Sequence, residues 1–107
     1  MNKTIWLSFD IAIRGDLDGL YAWLDTYHAK ECGFNLACLD YPDSDNLVQG
    51  LKKEIQEAVQ LEKGDRIYVI YLDPNGRMVG KFLFGRRKAA NWTGFGPLSI
   101  DEVDYGH

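Results

Sequence analysis

The sequence predicts an α+β domain in which two helices cover one side of a mainly antiparallel sheet. Three observations support this fold class: two stretches with apolar residues at helical spacing, several short segments rich in β-branched and aromatic residues, and a strong hairpin signal at Asp73-Pro74-Asn75-Gly76. A chain of 107 residues that is 46% hydrophobic has the size and composition of one compact domain, residues 1–107.

The first strand and the first helix follow each other closely. Thr4 to Asp10 is dense in apolar and aromatic residues and predicts a mostly buried strand that ends at Asp10. A helix from about Asp18 to His28 is predicted next, because apolar residues recur every three or four positions and Asp16 or Asp18 can cap its first amides. The apolar stripe consists of Leu17, Leu20, Tyr21, Leu24, Tyr27 and His28.

The second helix has the clearest pattern in the chain. It follows a strand predicted over Leu36 to Tyr41 and a turn, Pro42 to Asp45, that offers N-cap residues. Charged residues, Glu54 among them, are predicted to face away from the core, and Gly64 is predicted to end the helix. The apolar stripe consists of Leu47, Leu51, Ile55, Ala58 and Val59.

The last two strands form the predicted hairpin. Arg66 to Leu72 is apolar on both alternating faces, which favours a central strand. The strand after the turn ends at Phe84, and Met78, Phe82 and Phe84 are expected on one of its faces. Glycines and a lysine interrupt it, as is typical of an edge strand.

The segment from Ala29 to Asn35 decides the topology. If it forms a strand, the order is βαββαβ with an extra C-terminal strand, a ferredoxin-like two-layer sandwich. If it is a loop, the order is βαβαββ and a mixed sheet with a parallel first pair becomes possible. The first topology is favoured.

Acidic and basic residues are segregated along the chain. No acidic residue occurs from Pro74 to Ile100. The chain as a whole has 12 basic and 16 acidic residues and a net charge of −4, so any contact with an anionic partner has to be local. Residues 86–107 are interpreted as a basic and aromatic tail that becomes acidic towards its end. The basic residues of the acid-free stretch are Arg77, Lys81, Arg86, Arg87 and Lys88.

Arg86, Arg87, Lys88 and Trp92 are the predicted nucleic-acid contacts. Cations bind phosphates, and an aromatic ring can stack on a base of RNA or DNA. The alternative is that the aromatic residues after Gly85 cover the sheet or complete a partner's sheet, while the cations pair with carboxylates of this chain.

Several other kinds of site have too few residues. Two cysteines do not make a disulfide scaffold, and the N-terminal residues show no signal-peptide pattern, so we expect a reduced, cytoplasmic protein that does not enter a membrane.

The sequence also offers no common metal-binding motif for zinc: His28, Cys32 and Cys38 match no common zinc spacing. Asp16 and Asp18 lack the closing glutamate of a calcium loop and are interpreted as helix initiation.

The order of these motifs resembles a known family. Its elements are a first strand that ends in aspartate (WLSFD), a strand pair whose second half reads LACLDY, and a strand of the RIYVI type after the second helix. Over about Thr4 to Phe84, this pattern is similar to the small CRISPR-associated endoribonucleases of the spacer-adaptation machinery and the related virulence-associated protein D toxins. The resemblance implies a homodimer, extended by the C-terminal strand, with a nuclease centre that uses Asp10 and Mg²⁺ or Mn²⁺.

Asp10 is the one catalytic residue and metal ligand that the resemblance carries over. One carboxylate makes a poor magnesium site, whereas two copies could supply a pair. The alternative is a strand-end carboxylate that hydrogen-bonds to the loop or caps the next helix. Asp40 separates the topologies, because it lies beside Asp10 in the mixed sheet and at the opposite end in the ferredoxin-like order.

Two functional hypotheses follow from the sequence. The first is a small nucleic-acid-acting protein, in its most specific form a dimeric metal-dependent endoribonuclease. The second is a noncatalytic protein-interaction module that uses its edge strand and aromatic tail for assembly.

Overall fold

The protein is a small α+β structure of two helices and a five-stranded antiparallel sheet. The computed structural model describes residues 1–12 and 15–87. In chain order the elements are β1 (Asn2–Asp10), α1 (Leu17–Thr26), β2 (Lys30–Gly33), β3 (Leu36–Pro42), α2 (Leu47–Ala58), β4 (Arg66–Leu72) and β5 (Met78–Phe84).

The strands lie in the order β2-β3-β1-β4-β5, and every neighbouring pair is antiparallel. The segment from Ala29 to Asn35, which decides the topology, therefore contains a strand, β2. The parallel first strand pair of the mixed-sheet alternative is not formed. The central strand β1 pairs with β3 on one side and β4 on the other. As predicted, β4 lies inside the sheet and β5 at its edge.

One face of the sheet packs against both helices to form the core. Because side chains alternate along a strand, every second residue of β1, β3 and β4 faces the helices. Leu51 and Ile55 of α2 are fully buried against them, and burial of such a side chain stabilises the fold by about 1.5–3 kcal/mol. The buried strand residues are Ile5, Leu7, Phe9, Ala37, Leu39, Tyr41, Ile67, Val69 and Leu83.

Asp16 begins α1, as the capping pattern predicts. Its side chain accepts a hydrogen bond from Gly19 N at 2.9 Å, and its second oxygen accepts one from Gln60 N, also at 2.9 Å. The hydrogen bonds from Gln60 and Gly19 hold the pKa of Asp16 below its ordinary value. Asp16 thus initiates the helix and ties it to the segment after α2.

The ends of α2 differ from the prediction. Asn46 occupies the N-cap position without a side-chain capping bond. The helix ends at Ala58, well before Gly64, because Val59 takes an extended backbone and is buried, with 3% of its surface exposed. Burial of Val59 turns the chain towards the sheet, and Gly64, with φ of 96°, serves the following turn.

The β4–β5 hairpin contains the predicted turn and an unpredicted β-bulge. The Asp73 carboxylate accepts hydrogen bonds from the amides of Asn75 and Arg77, both at 2.9 Å, which fixes the turn. The register shifts where β4 begins, since Ile67 pairs with Phe84 but Tyr68 pairs with Phe82. The bulge turns Phe84 against the core, so the prediction that it shares a face with Phe82 is wrong.

Among the residues that the structure describes, neither helix combines the length and apolar character that crossing a bilayer requires.

Candidate functional site

The face of the sheet opposite the helices presents a stripe of aromatic side chains. Trp6 of β1, Tyr68 of β4 and Phe82 of β5 alternate with buried neighbours and are themselves half-buried. Tyr68 pairs with Phe82, and their rings meet edge to face with centroids 4.8 Å apart. Trp6 pairs with Ile70, two residues along β4 from Tyr68, so the rings follow a diagonal across three adjacent strands.

A glycine makes room for the centre of this stripe. A Cβ atom at Gly80 would come within 2.3 Å of the Tyr68 hydroxyl oxygen and within 3 Å of two of its ring carbons. The Tyr68 ring therefore lies across the backbone of β5 at Gly80. The sequence pattern treats this glycine as an edge-strand interruption, whereas the structure gives it a role in placing an aromatic ring.

Arginines gather at one end of the aromatic stripe. Arg66 begins β4 on the same face as Tyr68, and Arg86 and Arg87 follow directly after β5. Gly85, with φ of 79°, brings the chain close to β4: a Cβ there would lie 2.7 Å from Arg66 Cγ. Arg86 is exposed and Arg87 half-buried. We call Trp6, Tyr68, Phe82, Arg66, Arg86 and Arg87 the aromatic-arginine face.

Asp10 lies at this same end, paired with an arginine. Its carboxylate oxygen Oδ2 accepts hydrogen bonds from Arg66 Nη2 at 2.9 Å and Nε at 3.2 Å. The pair is partly hydrated, with 47% of the Asp10 side chain and 23% of the Arg66 side chain exposed. A metal ion at this oxygen would have to displace the guanidinium.

The described residues of one chain do not assemble a metal site around Asp10. Within residues 1–12 and 15–87, no three His, Cys, Asp or Glu side chains stand close enough to hold an ion together. Asp40 pairs with Thr4, whose hydroxyl donates to its carboxylate at 2.9 Å. Thr4 is six positions from Asp10 along β1, about 20 Å away in an extended strand, so Asp40 lies at the opposite end of the sheet.

The predicted nucleic-acid residues divide into two groups. Arg86 and Arg87 follow β5 at the end of the sheet where Arg66 begins β4, whereas Lys88 and Trp92 fall outside the described residues. Of the other basic residues in the acid-free stretch, Lys81 pairs with Val69 on the helix side and Arg77 lies next to the hairpin turn.

The two cysteines lie together on the β2–β3 hairpin. The Cys32 thiol is exposed and donates to the Lys30 carbonyl at 3.6 Å. Burial and the neighbouring Cys32 thiol raise the pKa of the Cys38 thiol, which is half-buried. His28 is exposed after α1. Among the residues that the structure describes, His28, Cys32 and Cys38 belong to no group of three side chains that could hold a metal ion together.

Glu54 is the centre of a polar cluster that sequence reasoning missed. Trp23 Nε1 donates to its Oε1 at 3.3 Å, the Tyr27 hydroxyl donates to the same oxygen, and the Tyr41 hydroxyl donates to Oε2 at 2.6 Å. The three donors come from α1, the segment after it, and β3. We call these four residues the Glu54 cluster.

The hydrogen bonds of the Glu54 cluster dominate its electrostatics. Burial alone would raise the pKa of Glu54, but the bonds from Tyr27, Tyr41 and Trp23 outweigh it and hold the pKa below its ordinary value. Burial, together with the Glu54 carboxylate, raises the pKa of Tyr27 to about 12 and that of Tyr41 further. Both tyrosines are therefore neutral donors to an ionised acceptor, which ties α1 and β3 to α2.

A cleft of about 660 Å³ lies at the beginning of α2, far from the arginine end. Its Lys3 is already engaged: it pairs with Asp43 at 3.3 Å and lies 5.6 Å from the centre of the Tyr71 ring. Asp45 and Asp73 also line the cleft. Its cations are balanced by carboxylates, which makes it a weaker anion site than the aromatic-arginine face.

Comparisons with protein families, with curated proteins and with solved structures found no match to this chain. The resemblance described from the sequence motifs therefore stays a prediction.

Proposed function

We propose that this chain is a ferredoxin-like sandwich that binds single-stranded nucleic acid across its aromatic-arginine face. The observation that carries the proposal is the aromatic stripe of Trp6, Tyr68 and Phe82, with Arg66 on the same face and with Arg86 and Arg87 after β5 at the same end of the sheet. Open sheet faces with aromatic side chains stack unpaired bases, and flanking cations bind the backbone phosphates. Duplexes are excluded from such stacking, because their bases already stack on one another.

The charge distribution supports a small, local footprint. The chain carries a net charge of −4, so the acidic remainder of the surface repels phosphates. Two or three phosphate contacts at the arginine end predict a weak salt dependence. For single strands, we expect log K to fall against log salt with a slope of about −2.

The first test is binding of labelled 12-mer oligo(U) and oligo(dT) by fluorescence anisotropy across a salt series. Trp6→Leu keeps an apolar side chain but removes the stacking surface, so we expect affinity to fall about tenfold at every salt concentration. Arg86→Gln should weaken binding and make the salt slope shallower by about 0.7.

Tyr21→Leu is the matched control, because Tyr21 is an exposed aromatic residue on α1, away from the aromatic-arginine face. We expect its affinity to equal that of the wild type. Binding that is equally weak in all variants, or no saturable binding at low salt, would contradict the proposal. A difference between oligo(U) and oligo(dT) would assign RNA or DNA as the preferred ligand.

Asp10→Asn separates binding from the nuclease activity that the family resemblance implies. In the binding proposal, the Asp10 carboxylate is paired with the Arg66 guanidinium, and Asp10→Asn should leave the guanidinium available to bind a phosphate. We expect affinity to rise two- to fivefold. This corresponds to about 0.4–1 kcal/mol, the range for a partly exposed ion pair. In the dimeric nuclease proposal, with Mg²⁺ or Mn²⁺ held between two copies of Asp10, the same variant loses metal-dependent cleavage. Scoring binding and cleavage in the same samples, with each metal and with EDTA, distinguishes the two.

A further inference from the structure

Phe34 is exposed far beyond what a large apolar side chain usually shows in a folded domain. It stands at the tip of the β2–β3 hairpin, and 93% of its surface is accessible. The tip is held in place, because Asn35 takes a left-handed backbone with φ of 55° and its carbonyl accepts a hydrogen bond from Phe9 N at 3.0 Å. The fold therefore presents Phe34 to solvent on a fixed support.

A groove of about 430 Å³ lies next to this side chain, along β2 and α1. Phe9 and Leu24 supply buried apolar surface at its floor, and Tyr21, which packs edge to face on Phe9, is 45% exposed at its wall. Phe34 borders the groove but leaves it unfilled, since nearly all of the Phe34 surface is accessible. One patch of the molecule thus carries both an apolar anchor and an apolar groove.

The surroundings of the groove favour a second copy of this chain as its occupant. A two-fold interface uses the same patch on both subunits, so it requires anchor and groove side by side. The rim of the groove carries two carboxylates, Asp25 and Glu31, and one ammonium group, Lys30. In a two-fold dimer the acidic residues of one copy can therefore face the lysine of the other. β2 is also an outermost strand of the sheet, so no described strand obstructs the approach.

We propose that this surface is a homodimer interface in which Phe34 of each copy inserts into the groove of the other. A buried aromatic anchor in an apolar pocket is the usual centre of binding energy in such interfaces. The interface is separate from the proposed nucleic-acid binding, which uses the opposite face of the sheet. It also differs from a dimer extended by the C-terminal strand, because β2 lies at the other edge from β5.

Sedimentation equilibrium of the full chain tests the proposal. The wild type should dimerise reversibly, and Phe34→Ser should raise the dimer dissociation constant about 100-fold, or about 2.8 kcal/mol, because each dimer loses two anchors. Met78→Ser is the matched control, since Met78 is an apolar side chain 48% exposed on β5 at the far edge. Its dissociation constant should not change.

Phe34→Ser should fold normally because the side chain is almost entirely exposed, and circular dichroism during thermal unfolding verifies this. A wild type that stays monomeric at high concentration would overturn the proposal. So would a dimer that persists in Phe34→Ser but dissociates when Asn91 to His107 is removed, which would assign the dimer contact to the C-terminal tail instead. Phe34→Ser should keep wild-type affinity for oligo(U), so a failure here is distinct from a failure of the proposed function.

Discussion

Replacing Glu54 with leucine should lower the free energy of unfolding by about 3 kcal/mol, because charge-assisted hydrogen bonds are each worth more than neutral ones and their donors are left without an acceptor. Trp23, Tyr27 and Tyr41 all donate to this carboxylate, and Tyr41 is itself 4% exposed. Urea denaturation followed by tryptophan fluorescence measures the change.

Glu57→Leu is the control for this substitution. Glu57 lies three residues further along α2 and is exposed, so removal of its carboxylate should change stability by less than about 0.5 kcal/mol. Equal effects of the two substitutions would mean that the Glu54 cluster does not hold α1 and β3 to α2 in solution.

The same variant predicts a change in the pH dependence of stability. The pKa of Glu54 is depressed in the folded protein, so its contribution is complete above the unfolded-state pKa and is lost as pH falls through the folded-state value. Wild-type stability should therefore drop in the acid range below about pH 5. The difference between wild type and Glu54→Leu should shrink over that range, and a difference that stays constant there would contradict the assigned carboxylate role.

The periodic elements of the fold could be predicted from the sequence because they bury apolar side chains at regular spacing. β2 could not be assigned in this way, since Lys30, Glu31 and Cys32 are all exposed and leave no apolar alternation. Backbone pairing with β3 holds this strand. The position of Phe84 on the core side of the sheet could not be predicted either. The β-bulge that places it there depends on how β5 pairs with β4 and not on the β5 sequence alone.

The candidate sites were predictable only where one segment carries them. Arg86 and Arg87 could be identified from charge along the chain, but their position at the same end of the sheet as Arg66 and Asp10 depends on the register between β1, β4 and β5. Glu54 was wrongly placed on the solvent side of α2, because a glutamate among charged neighbours usually faces water. Its signal was indirect: a Trp and two Tyr side chains near the core need hydrogen-bond partners.

Asp65 links the fold to the end of the sheet that carries the aromatic-arginine face. It is 3% exposed, and its carboxylate accepts hydrogen bonds from Ala12 N at 2.6 Å and Glu62 N at 2.8 Å. It therefore fixes the segment just after Asp10 to the turn just before Arg66. The pairing of Asp10 with Arg66 depends on the positions of both segments.

Asp65→Asn should destabilise the protein by about 3 kcal/mol. The two oxygens of the buried carboxylate each accept a partly buried backbone bond, and the amide group of asparagine would place a donor against one of these two backbone donors. Asp73→Asn is the matched control: Asp73 also accepts two backbone amide bonds, but both go to Oδ1 in the exposed β4–β5 turn, so the asparagine Oδ1 can keep them. We expect a loss of less than about 1 kcal/mol there. Amide exchange of Ala12 and Glu62 should accelerate in Asp65→Asn and not in Asp73→Asn. Unchanged exchange at Ala12 would contradict the link, whereas faster exchange with weaker oligo(U) binding would show that the buried carboxylate positions the arginine end of the face.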